Sequence, residues 1–412
     1  MDNNYSISSS RTLPANRRTV ILAIHWENQP HKQGIFEYAQ RRSWHLLDLR
    51  YYNMKLPRTF HPDGALFHLA NEQAPLVRQL LRLGVPVVQM QDYHVSKQCC
   101  CVVQDRRAIG QAAAEHFAAR GFKNMAYLHS EIYEHSPDKL TGQSFLQRAR
   151  SLGAKADAFA IQQRGQFIPW TRFNKVAQRF REEISKLQLP LGLFTYNDIM
   201  AGRICHFCAA IGLSVPEQVA VLGVGNDPTR CQCSSVPLSS VDPNFITQGR
   251  AAAELLDRLM DGQPRPKEPI LIAPEGIVTR QSTDILALPD LETARALRYM
   301  WEHYAEGPRV SRIAAATGVS RRKLERHFRA HLHRSVNEEL NRKRIEQCCE
   351  LLIATKLTIE DVSRQVGFNT PKYFYKVFLK ATGTTPRKYR LAQMAQISKL
   401  REAENAQAED HQ

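Results

Sequence analysis

Two short stretches of this chain set basic and aromatic side chains at helical spacing beside a turn. "GVSRRKLERHF" starts at Gly318 and "GFNTPKYFYKVF" at Gly367. In the first, Ser320 suits a helix N-cap, and Leu324 and Phe328, four apart, share the face that packs inward. Arg321, Arg322, Glu325 and Arg326 are left on other faces. In the second, Thr370 can cap, Pro371 suits the first helical position and Phe374 with Phe378 packs inward. Lys372, Tyr373 and Lys376 stay available. Arginine can grip guanine O6 and N7 with two parallel N–H donors, and lysine suits phosphate. A short amphipathic helix precedes each turn glycine, which is helix-turn-helix spacing. A solvated basic surface would explain one copy; two copies in about fifty residues point to two recognition helices in successive major grooves, ~34 Å apart. The charge agrees. Residues 291–390 hold 21 Lys+Arg against 10 Asp+Glu, so +11 of the formal +16 lies in about a quarter of the 412 residues. A localised basic excess suits a polyanion such as double-stranded DNA.

A second kind of chemistry is suggested by "VAVLGVGNDP", Val219–Pro228. A strand ending in Gly-x-Gly can open a dinucleotide loop. That loop needs a third glycine three residues on and an immediate helix N-terminus. Pro228 stands at the third position, and "TRCQCSSVP" does not read as a helix start. No Walker lysine and no Ser/His/Asp or paired-carboxylate set stands out, so no enzyme activity and no cofactor are expected. Weight falls on the polar tip, Asn226 and Asp227, and on Asn197 and Asp198 at another strand end. Amides and carboxylates there can exchange hydrogen bonds with hydroxyls, and Trp26, ending the first strand, offers a flat face to a sugar. Against this stands the ordinary use of Asn and Asp as turn and N-cap residues. Nine cysteines suit a reducing compartment. The "CHFC" of Cys205 and Cys208 lies in a helical stretch, where cysteine packs as a small hydrophobe, and no metal site is expected.

These residues need elements to hold them. From Arg18, apolar strands alternate with amphipathic helices through "TVILAIHW", "PDGALFHL", "NMAYLHS", "LGLFTYND" and Val219–Val224. Such alternation predicts an α/β fold with parallel sheets covered by helices, in two lobes, with a last strand near 270–278 as a possible crossover. After about residue 290 only helices and short turns follow. The expected organisation is a disordered tail over 1–17, a two-lobed ligand-sensing domain over 18–282, a linker over 283–290, an all-α domain with two helix-turn-helix motifs over 291–392 and a polar tail over 393–412. No apolar run is long enough to span a membrane, and the N-terminus lacks the apolar region of a signal peptide, so a cytoplasmic protein is expected.

The C-terminal block resembles the DNA-binding domain of AraC-type transcription regulators. "GVSRRKLERHF", "RIEQCCELLIATKLTIEDVSRQVGF" and "YFYKVFLKATGTTPRKYR", with Gly383, Pro386, Tyr389 and Arg390, carry the likeness. It implies base or phosphate contacts at Arg322, Glu325 and Arg326, and at Lys372, Tyr373 and Lys376. Such domains often carry Arg at the position of Lys376, where Lys gives a point charge in place of a fork. The alternating block resembles LacI-type, periplasmic-binding-protein-like sensors, through "VVQDRRAIGQAAAEHFAARGFKNMAYL", the Asn197-Asp198 strand end, "GLSVPEQVAVLG" and "LSSV". In such sensors two lobes close on a small polar ligand. They often have Asp where Gly225 stands, and Arg where Lys139 stands, three residues before Gly142. The two resemblances in this order imply a cytoplasmic homodimer that binds an operator and a small sugar and works with RNA polymerase. A pentose is the leading effector, which makes the chain an expected activator of a pentose (xylose) utilisation operon. The alternative is a nucleotide- or nicotinamide-using enzyme fused to a DNA-binding domain.

Overall fold

The computed structural model describes residues 17–24, 29–49, 56, 60–68, 75–91, 99–129, 138–161, 173–395 and 398. Trp26 and most of the two expected tails lie outside the described residues. The chain divides into two compact units, Met1–Thr283 and Asp284–Gln412.

In the first unit the elements run β1 (Thr19–Ile24), α1 (Gln29–Arg41), β2 (His45–Asp48), β3 (Gly64–His68), α2 (Pro75–Arg82), β4 (Val87–Gln89), β5 (Cys100–Gln104) and α3 (Arg106–Ala119). Then come β6 (Asn124–Leu128), α4 (Asp138–Ser151), β7 (Lys155–Phe159), α5 (Phe173–Ile184), β8 (Leu191–Thr195) and α6 (Asp198–Ile211). The unit closes with β9 (Val219–Val224), α7 (Pro228–Gln232), β10 (Ser239–Asp242), α8 (Phe245–Met260), β11 (Ile270–Ile272) and β12 (Gly276–Val278). They build two six-stranded sheets, ordered β11-β5-β4-β3-β1-β2 and β12-β10-β9-β8-β6-β7. All pairings are parallel except β10 with β12. The strands are buried almost end to end, as in β9 and β8, because helices cover both faces. On the first sheet one face packs Ile35, Leu255 and Leu256, and the other Leu76, Val77 and Leu80. Phe180, Ile204 and Phe207 seal one face of the second sheet.

Three crossings join the lobes: β5 into α3, β10 into α8, and β11 into β12. The stretch read as one strand near 270–278 is thus two, one for each sheet. Every crossing leaves the C-terminal end of a strand, so those ends of both sheets gather at the hinge. Asp105 N donates to Ile272 O at 2.8 Å, and Glu275 N to Asp242 O at 2.9 Å, tying the crossings together.

The second unit holds α9 (Leu291–Glu302), α10 (Val310–Thr317), α11 (Arg321–Leu332), α12 (Val336–Ala354), α13 (Ile359–Gln365) and α14 (Pro371–Thr382), with a further helix over 386–395. The 19-residue α12 is the spine. Ser335 and Glu338 close a capping box at its start. One turn in, Glu339 is fully buried yet answered: Trp301 Nε1 donates at 3.1 Å, Arg342 Nη2 at 2.8 Å, and Arg334 lies 3.2 Å away. Phe368, Phe374 and Phe378 pack against Ile345, Cys348 and Leu352 of α12.

Candidate functional sites

In each helix-turn-helix the structure separates the inward pair from the polar face. Leu324, Phe328 and Phe378 are fully buried and Phe374 nearly so. Arg321, Arg322, Arg326, Lys372, Tyr373 and Lys376 are exposed, and Glu325 is half-buried. Ser320 caps α11, accepting from Lys323 N at 3.3 Å. Thr370 holds the N-cap position of α14 but makes no side-chain cap bond; Pro371 presets the first turn. The two turns differ in tightness. Gly318 is left-handed with open space around it. Gly367 has φ +90°, and a Cβ there would stand 2.5 Å from Ala305 O. Only glycine fits that approach.

Neighbours orient both basic helices. Asn341 of α12 donates to the Tyr373 hydroxyl at 2.8 Å. On α11, Lys323 pairs with Glu292 and His327 Nδ1 lies 2.7 Å from Asp290 Oδ2. Asp290 is itself the N-cap of α9. Partial burial pushes its carboxyl up, but the bonds from Thr293 and His327 outweigh this and hold it at about 2. The start of α9 therefore clasps the inner face of α11 and leaves the arginine face outward.

At the strand tips of the first unit, the polar residues named from sequence turn out to serve one another. Asn197 caps α6, accepting from Met200 N at 2.8 Å. Asp198 is only 4% exposed. Its Oδ1 accepts from Ser240 Oγ at 2.6 Å, and its Oδ2 from Asp227 N at 3.2 Å and Cys231 Sγ at 3.5 Å. Burial, the largest influence, moves the Asp198 carboxyl above its ordinary range despite these donors. Asp227 caps α7, accepting from Arg230 N at 3.0 Å, with Pro228 in the first turn. "TRCQCSSVP", read as no helix start, thus begins within a helix of five residues. The N-cap aspartate and first-turn proline were the available signals.

The same carboxylate accounts for the Gly-Val-Gly at the end of β9. A Cβ at Gly223 would lie 2.2 Å from Asp198 Oδ1, and one at Gly225 3.1 Å from Oδ2. The glycines make room for a buried carboxylate, which would repel a phosphate. Asn226 is saturated as well: its N donates to Ser240 Oγ, its Nδ2 to Asp242 Oδ2, and its Oδ1 accepts from Arg280 Nη2, at 2.9, 2.9 and 2.8 Å. Lys139 sits half-buried in the first turn of α4. Among the described candidates, Asp227 keeps the most exposed carboxylate, at 42%.

Sequence reasoning missed a buried polar cluster in the first lobe. His31 on α1 is buried between His68 at the end of β3 and Phe245 at the start of α8. Its Nε2 meets Gln248 Oε1 at 2.9 Å, and Gln104 Nε2 donates to the same oxygen at 3.1 Å. Gln248 gives its own N–H groups to Met90 O and Val102 O, so His31 Nε2 carries the proton. Burial lowers this histidine to about 4. Buried polar atoms without a protein partner include His31 Nδ1, Gln91 Oε1 beyond β4 and Thr141 Oγ1 in the first turn of α4. Gln91 lies two residues past β4, and His31 and Thr141 lie in the first turns of the helices that follow β1 and β6. Cys205 and Cys208 lie in the core of the second lobe, where burial raises both thiols, Cys205 to about 12. Among the described residues no group of three or more His, Cys, Asp or Glu side chains could share a metal ion, and no helix is long and apolar enough to cross a membrane.

The fold defines a class: a two-lobed α/β unit followed in the chain by a helical unit with two helix-turn-helix motifs. Residues 114–283 match the periplasmic binding protein-like domain, and residues 313–392 a helix-turn-helix domain. Along most of its length the chain is similar to the xylose operon regulatory protein of Escherichia coli K12, with 26% identity over 366 residues, 87% of this chain and 92% of that protein. The solved structure of the xylose-binding transcription activator xylR superposes with a TM-score of 0.66 and 24% identity, covering 92% of this chain and 99% of the other. A LacI family transcriptional regulator from Bifidobacterium animalis subsp. lactis superposes with a TM-score of 0.51 and 18% identity, covering 66% of this chain and 100% of the other.

Proposed function

We propose that this protein is a sugar-responsive, sequence-specific transcription regulator that activates a xylose-utilisation operon. One observation carries the reading: the likeness to the xylose operon regulatory protein runs through both domains in the same order, over 87% of the chain. The arginine face of α11 and the Lys372–Lys376 face of α14 enter the major groove, with Arg326 on base edges and Lys372 on phosphate. Arg321, Arg322, Glu325, Tyr373 and Lys376 complete the interface. Sugar binds where the strand ends of the two lobes face each other. Trp26, Lys139 and Asp227 contact it, with the unpaired atoms of His31, Gln91 and Thr141 as further partners, while Asn197, Asp198 and Asn226 hold the strand tips behind them. Closure then shifts the protein between DNA-binding states by the difference in sugar affinity between them. The working form is a homodimer that contacts RNA polymerase in the cytoplasm.

The test is a thermal-shift panel of pentoses and hexoses on the full chain, paired with selection of duplex DNA from a random pool at moderate salt. D-xylose is expected to raise the melting temperature, and a single sequence motif is expected to emerge. No sugar shift and no selected motif would overturn the reading.

A further inference from the structure

Three side chains span the second lobe from the hinge to the segment by which the chain leaves the sensor. Asp242 ends β10, immediately before the crossing into α8. Its Oδ1 accepts from the N–H of Asn244 at 2.8 Å. Asn244 has φ +63° and is the N-cap of α8, whose body packs on the first lobe. Asp242 Oδ2 accepts from Asn226 Nδ2 at 2.9 Å, and Asn226 Oδ1 accepts from Arg280 Nη2 at 2.8 Å. Arg280 follows β12. It also donates to Leu238 O and exchanges two bonds with Ser239, each at 2.8 Å. Two residues on, Ser282 is fixed to Val221 and Ser239, and Thr283, the last residue of this unit, to Ser239 and His116.

The order of groups is chemically constrained. Arginine only donates and an ionised carboxylate only accepts, so a group standing between them must do both, as the Asn226 amide does. Asn226 does so from a left-handed backbone, φ +51°, with both its side-chain nitrogen and its oxygen in use. We propose that Arg280, Asn226 and Asp242 form a relay that passes hinge movement to residues 280–283, so that Arg280 and Asp242 are positioning residues for the response of DNA binding to sugar. The proposal rests on the function given above. A turn that merely needed its hydrogen bonds satisfied would not require a connected path between hinge and exit.

The chemistry supplies its own test. Asp242→Asn alone places an N–H against the Asn226 N–H or against that of Asn244. Asn226→Asp alone sets two carboxylates face to face. The double change restores the path with reversed polarity. The carboxylate introduced at position 226 would accept from Arg280 and from the amide introduced at position 242, which still accepts from Asn244. The readout is the ratio of affinities of the full chain for a selected duplex with and without saturating D-xylose, where typical couplings are about 5–150-fold. Each single variant is expected to lose more than half of the wild-type coupling on a logarithmic scale, and the double variant to regain more than half of what was lost. Singles that keep more than half, or a double that regains less, would overturn the relay. If a single variant does not fold, the double variant decides alone, by whether it keeps more than half of the wild-type coupling. A wild-type protein with no response to sugar would sink the proposed function before any variant is compared.

Discussion

Asp198 shows how one buried carboxylate can organise a strand tip. Three donors converge on its buried carboxylate, and the two glycines of Gly223–Gly225 leave the space it fills. Asp198→Asn would turn an amide N–H toward a fixed backbone or hydroxyl donor. The expected cost is about 1–3 kcal/mol of sensor stability, read as a lower melting temperature in the unliganded protein. In the helix-turn-helix unit the two kinds of basic residue should separate by salt. Arg326→Ala is expected to weaken the selected duplex by about 1–3 kcal/mol and relax preference at one base position. Lys372→Ala should weaken all sequences alike and lower the slope of log affinity against log salt by about 1. Titrations against a duplex set at several salt concentrations distinguish the two.

At the scale of elements, the helix-turn-helix pairs were legible because their cues are local. Leu324 and Phe328, or Phe374 and Phe378, four residues apart after a cap and a turn glycine, leave little freedom in which face goes inward. The relative importance of the two turn glycines was not legible. Both read alike in sequence, yet Gly318 faces open space and Gly367 faces the backbone of Ala305. Gly367→Ala combines a left-handed backbone with a forced contact and should destabilise the helical unit by more than the ~1 kcal/mol of an ordinary strained alanine. Gly318→Ala should stay near that value. Comparing denaturant midpoints of the two variants tests the difference. The short α7 was missed because five residues carry too little periodicity to be seen, and the hydrogen bond of its Asp227 cap exists only once the chain has turned.

At the scale of the whole molecule, the buried His31 and His116 are expected to make the first unit acid-sensitive. Burial lowers His31 to about 4, and burial with the Arg120 guanidinium beside it lowers His116 to about 3. Both folded values lie below the unfolded value of about 6.5. The unfolded chain therefore takes up protons first, and stability present above pH ~6.5 is lost as pH falls toward 4. At pH 5 each histidine should cost roughly 2 kcal/mol relative to pH 7.5. Melting of the sensor at the two pH values should show the loss, and His31→Gln should remove about half of it.

The sequence by itself determined the α/β alternation, the helical block that follows it and the outward faces of α11 and α14. Those properties depend on periods of two and 3.6 residues and on caps within one turn. Only the tertiary structure decided that residues 270–278 form two strands in place of one, that His31 and Gln248, 217 residues apart, are joined by a hydrogen bond, and that Asn226 joins Arg280 to Asp242. A hydrogen bond between distant residues leaves no periodic trace in the chain. Its partners are fixed by which strand ends the hinge brings together.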